Sequence, residues 1–71
     1  MKSNEKTRVT RNNIAAIIRF YFDNGFREKW TNNYCVRMDR IRNNKLEVIY
    51  IPTNYLNYKK YVTSEIHIIN K

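Results

Sequence analysis

One cysteine, one glycine, one proline, one histidine and one tryptophan occur in 71 residues, and each scarcity closes a route. The lone thiol, Cys35, forms no internal disulfide, and one Cys with one His (His67) cannot assemble a structural zinc site. Gly25 alone cannot build a glycine-rich phosphate loop. Acidic side chains number six against fourteen Lys and Arg, and they do not cluster as a divalent cation requires. No apolar run approaches the ~18 residues of a membrane span, and residues 1–5 do not lead into a signal-type apolar stretch. Cys35 has no sequence-local base, and His67 has only Glu65 two residues away, an exposed pair rather than a general base with its orienter. The expectation is a non-enzymatic protein without cofactor or metal. It should be cytoplasmic, since a single thiol suits a reducing compartment.

What the chain does have is positive charge, +8 formally, distributed along its whole length. Such an excess favours polyanions: nucleic acid first, then anionic membrane or an acidic protein surface. Eleven Asn, nine Ile and seven Lys with two Ala suggest an AT-rich coding sequence, as in a low-GC bacterium, its phage or a mobile element.

The stretch Thr10 to Phe26 reads as the organising helix. Ile14, Ile17, Ile18, Tyr21, Phe22 and Gly25 follow the i, i+3, i+4, i+7, i+8, i+11 spacing of one helical face. Thr10 is placed to cap the first turn, which puts Val9 and Ile14 at the two positions of a hydrophobic staple. Gly25 suits the left-handed residue after the helix, and Phe26 can then fold back on Tyr21. Arg19 and Asp23 pair at i, i+4 on the exposed side. Residues 1–9 carry little to bury and are expected to form a flexible basic arm.

Residues 27–33 read as a connector, in which Trp30 is expected to plug the edge of the core. Tyr34 to Pro52 reads as a β-hairpin turning on Asn43-Asn44, two residues that tolerate positive φ. That turn sets Ile41 opposite Leu46, Arg40 opposite Glu47, Met38 opposite Ile49 and Val36 opposite Ile51. Tyr34, Val36, Met38, Ile49 and Ile51 then face the helix. Cys35, Arg37, Asp39, Ile41, Leu46, Val48 and Tyr50 face away. Pro52 ends the strand, a short helix is possible over Tyr55 to Tyr61, and Val62 to Ile69 closes the chain as a third strand by its β-branched density. A C-terminal helix is the alternative, because Tyr55, Tyr58, Val62, Ile66 and Ile69 also fit a helical stripe. The assembly is a single α+β domain over residues 10–71, one helix on a three-stranded antiparallel sheet.

Two functional readings follow. The leading one is nucleic-acid binding, with DNA ahead of RNA, through cations interleaved with rings. Its residues are Lys6, Arg8 and Arg11 in the arm, Lys29 beside Trp30, Arg37 opposite Tyr50, and Tyr58-Lys59-Lys60-Tyr61. The alternative is a small inhibitor or modulator that binds another protein through the uncovered sheet face. Ile41, Leu46, Val48 and Tyr50 would be its anchors, with Phe20 on the helix flank. Phe20 one turn from Ala16 also permits a homodimer. Membrane attachment is disfavoured because the helix spends its apolar side on the core.

Overall fold

The computed structural model describes residues 8–53 and 61–69. Among these residues one helix, α1 (Ile14–Asp23), precedes four antiparallel strands: β1 (Arg27–Thr31), β2 (Cys35–Arg42), β3 (Lys45–Pro52) and β4 (Thr63–Ile68), in spatial order β1-β2-β3-β4. The α+β class is as the sequence implies, with one strand more than expected. The possible helix over Tyr55 to Tyr61 lies, but for its last residue, outside the described residues.

The α-helix begins at Ile14, later than the expected Thr10. Asn13 sits at φ −113°, ψ −2°, off helical values, so residues 11–13 form a turn that leads into the helix. Thr10 and Asn13 still cap each other. The Thr10 N–H donates to Asn13 Oδ1 (2.7 Å) and the Asn13 N–H to Thr10 Oγ1 (3.3 Å). This is a capping box with Asn in the place usually held by Glu or Gln. Val9 is buried and Ile14 packs against the same cluster, which closes the staple.

At the other end the chain turns through Gly25 at φ +95°. The Phe26 N–H donates to Tyr21 O and the Gly25 N–H to Phe22 O, each at 3.0 Å, the two bonds of a Schellman motif. The Phe26 ring then meets Tyr21 edge-on, with centroids 5.3 Å apart. The Arg19–Asp23 pair forms at 3.1 Å on the open side.

The hairpin has the register that its turn implies. Asn43 and Asn44 stand at φ 56° and 62°, and the pairs Ile41–Leu46, Arg40–Glu47, Met38–Ile49 and Val36–Ile51 all form. β3 closes at Pro52, opposite Cys35. Thr63–Ile68 is a strand, antiparallel to β3, so the β-branched density of this segment prevailed over its helical stripe.

The connector expected over residues 27–33 is instead strand β1 followed by a turn. Asn32 Oδ1 accepts from the N–H groups of Tyr34 and Cys35 (2.7 and 2.9 Å), reversing the chain into β2. β1 left no periodic signal for two reasons: all five of its residues are exposed, and it carries a bulge. Glu28 pairs with Met38 and Trp30 with Arg37, so Lys29 is the extra residue of the bulge.

The core comprises Val9, Phe26, Val36, Met38, Ile49 and Ile51, with Ile14, Ile17, Ile18, Tyr21 and Val62 packed around it. Four side chains depart from expectation. Phe22 is 47% exposed and Tyr34 68% exposed: the first lies on the helix flank under Arg27, the second precedes β2 rather than standing in it. Trp30 does not plug the core but lies on the opposite side of the sheet. Val48, expected on an open face, is only 1% exposed. It occupies an interior strand, with Asp39 and Glu65 beside it and Leu46 and Tyr50 before and after it on the same face, so side chains that reach further from the backbone flank it on every side.

Candidate functional site

On the sheet face turned away from α1, Arg37 of β2 has Trp30 as its lateral partner on β1 and Tyr50 on β3. Strands two apart are separated by about 10 Å, yet the Trp30 and Tyr50 ring centroids are 6.3 Å apart, tilted at 49°. The rings therefore lean toward each other across Arg37. Its side chain is 23% exposed and reaches Asp39, Nη2 to Oδ2 3.5 Å. The Arg37 Nε is enclosed without a hydrogen-bond partner among the described residues.

The bulge in β1 sets Lys29 beside this group. An extra residue lets two consecutive side chains oppose one partner, so Lys29 and Trp30 both stand against Arg37. Lys29 makes no ion pair among the described residues.

Next to the ring pair lies a shallow cleft of about 640 Å³, lined by Asn24, Gly25, Arg27, Lys29, Arg37, Asp39, Arg40, Ile41, Arg42 and Leu46. It exists because β1 begins at Arg27, opposite Asp39, which leaves positions 40–42 of β2 without a strand on that side. Five cations line it against one carboxylate.

Two of those cations also hold the fold. Arg27 donates from Nη1 to Phe22 O (3.2 Å) and Phe26 O (2.8 Å) and stacks over the Phe22 ring at 4.1 Å. Arg40 donates to Asn24 O and lies 4.4 Å over the Phe26 ring. Both neutralise the negative end of the helix dipole. Arg40 and Arg42 share Glu47, at 2.5 and 3.4 Å. The hydrogen bond from Arg40 holds the Glu47 carboxyl below its ordinary value; loss of solvent opposes this, and the charges of Arg40 and Arg42 reinforce it. Counting Glu47 with Asp39, the cleft keeps an excess of three positive charges.

Of the residues singled out from the sequence, the fold brings together Lys29, Trp30, Arg37 and Tyr50. Arg8 and Arg11 are exposed at the start of the helical segment, and Arg8 forms an isolated antiparallel bridge with Tyr61. Lys6, Tyr58, Lys59 and Lys60 lie outside the described residues. The apolar anchors divide: Ile41 is 70% exposed and Phe20 59%, Leu46 and Tyr50 are half-buried, and Val48 is enclosed and cannot serve as an anchor. Arg27, Arg40 and Arg42 were missed. Arg40 and Arg42 alternate with Ile41 on a strand whose β1 neighbour gave no periodic signal, so their open flank could not be seen.

Among the described residues no three His, Cys, Asp or Glu side chains form a metal-binding group, and no helix is long and apolar enough to cross a membrane. No protein-family model, curated protein or solved structure shows significant similarity to the chain.

Proposed function

We propose that the protein binds nucleic acid as a single strand, DNA before RNA, with phosphates along the cationic cleft and a base against Trp30. One observation carries this reading: Lys29, Trp30, Arg37 and Tyr50 converge on one face beside a cleft of excess positive charge. Cations displace counterions from phosphates, and an accessible ring offers every base a stacking surface, worth ~1–3 kcal/mol per base. Trp30 is 39% exposed, which leaves ring surface free. A regulatory role in the cytoplasm, in a phage or other mobile element, is consistent with the size, charge and composition.

Trp30 is the only tryptophan, so its fluorescence reports on the site directly. Titration with an oligothymidine strand should quench it, with affinity falling steeply between ~50 and ~200 mM salt but still measurable at the latter. Lys29→Ala should weaken binding and flatten the salt slope by about one counterion. Trp30→Ala, followed by anisotropy of a labelled strand, should cost about tenfold or more. If heparin binds as tightly as the oligonucleotide, or all binding vanishes at physiological salt, the attraction is unspecific and the proposal fails.

The protein-binding alternative keeps Ile41 and Phe20 as exposed anchors, the latter in a groove of about 260 Å³ formed by Asn13, just before α1, with Ala16, Ile17, Phe20 and Tyr21 of α1. Phe20→Ala should leave oligonucleotide binding intact and abolish capture of a protein partner.

A further inference from the structure

The two edges of the sheet are defended unequally. β1 carries Arg27, Glu28 and Lys29 and is broken by a bulge, both devices that keep an edge strand from pairing with another chain. β4, Thr63-Ser64-Glu65-Ile66-His67-Ile68, has neither Lys, Arg nor Pro, and its pairing with β3 is regular throughout. All six of its residues are exposed, with Ile66 at 63% and Ile68 at 70%.

Among the described residues no strand pairs with the outer side of β4, and the direction of its main-chain groups there follows from the neighbouring pairs. The Ile69 N–H donates to Asn44 O at 2.9 Å, so the odd-numbered residues of β4 point their N–H and C=O at β3. In an antiparallel ladder the alternate residues point the other way. Ser64, Ile66 and Ile68 therefore direct their main-chain groups outward, and the same residues lie on the helix side, since Ser64 pairs with Ile49.

We infer that β4 is the interface with a second copy of this chain, paired antiparallel edge to edge about a two-fold axis at Ile66. A two-fold interface must be complementary to itself, and β4 satisfies this in one register. With Ile66 opposite its own copy, Ser64 faces Ile68 and Ile68 faces Ser64, each with outward main-chain groups to exchange. Ile66 and Ile68 of both copies then meet as one apolar strip on the helix side. On the other side each Glu65 faces the second copy's imidazole at position 67, joining a pair already in contact within the chain, His67 Nε2 to Glu65 Oε1 3.1 Å. Displacing the axis by one position sets Glu65 against Glu65 or His67 against His67, so acid meets imidazole only in the first register. Directly opposed residues share a face, so both cationic clefts look to the same side of an eight-stranded sheet.

Sedimentation equilibrium and amide hydrogen exchange test this together. The expected result is a mass of twice 8.7 kDa at roughly 100 μM chain, with the mass falling on dilution. The Ser64, Ile66 and Ile68 amides should gain protection in step with dimer population. Glu65→Lys should weaken the dimer at least severalfold, and the double change Glu65→Lys, His67→Glu should restore it; circular dichroism confirms that both variants remain folded. A monomer at all concentrations with these three amides unprotected overturns the inference. A monomer in which they are protected also overturns it, because the edge is then covered within the chain. So does a dimer indifferent to Glu65→Lys and lost on Phe20→Ala. None of these outcomes depends on nucleic acid, so the dimer and the binding proposal stand or fall separately.

Discussion

Arg40 and Glu47 face each other across the hairpin, Nε to Oε1 at 2.5 Å, with side chains only 18% and 17% exposed. The same guanidinium reaches Asn24 O and covers the Phe26 ring. One side chain thus ties the end of α1 to the sheet. Arg40→Ala removes a charged hydrogen bond, a cation–π contact and the partner of a half-buried carboxylate together. The melting temperature should fall by more than roughly 4–8 °C, the shift that 1 kcal/mol produces in a domain of this size. Arg40→Lys should recover little, because an ammonium cannot hold all three partners at once.

Glu47 gives this region a pH dependence of definite sign. Its folded-state value is lowered, so the carboxylate binds protons less readily in the folded chain than in the unfolded one. The stabilisation is complete above the ordinary value of 4.5 and is lost as pH falls through the folded-state value. Denaturant titrations of Glu47→Gln should show weaker stability than the parent at pH 7 and a gap that narrows below pH ~4. A constant gap down to pH ~2 would show that the ion pair contributes nothing to the acid limb.

Gly25→Ala should destabilise the chain by about 1–2 kcal/mol, the penalty for a side chain in the left-handed region. Crowding is not the cause, since a Cβ there would meet Arg40 Cδ at an ordinary 3.8 Å. Gly25→Asn should therefore lose less, as Asn tolerates this conformation. Equal losses in the two variants would point to packing instead.

Val48→Asp and Ile41→Asp separate burial from exposure on one sheet face. Val48 is 1% exposed and Ile41 70%. A carboxylate at 48 should unfold the chain or cost about 3 kcal/mol or more. At 41 it should change stability by under ~0.5 kcal/mol. Chemical denaturation of the two proteins reads the difference directly.

The hairpin was legible because a local rule and a long-range rule agreed. Asn43-Asn44 set the turn, and every opposing pair then matched in character. The helix end was legible because Gly25 and Phe26 are both needed for its geometry. β1 was not, since alternation fails where no residue is buried and a bulge breaks the period. Val48 was misplaced for a related reason. With no helix above it the far face looks bare, whereas the long side chains around Val48 on its own and both neighbouring strands enclose its centre. Of the site, Arg37 with Tyr50 and Lys29 with Trp30 were visible as separate neighbours. Their meeting required the unseen strand.

The inserted residue in β1 also decides how this surface can change. In an unbroken strand, adjacent side chains look to opposite sides, so a cation and a ring there would be parted by the backbone. Excising Lys29 would leave Glu28 opposite Met38 and Trp30 opposite Arg37, the pairs they already keep. A deletion elsewhere in the sheet inverts every side chain beyond it. Here it subtracts a single charge and spares the ring, so the surface can be retuned through chain length alone.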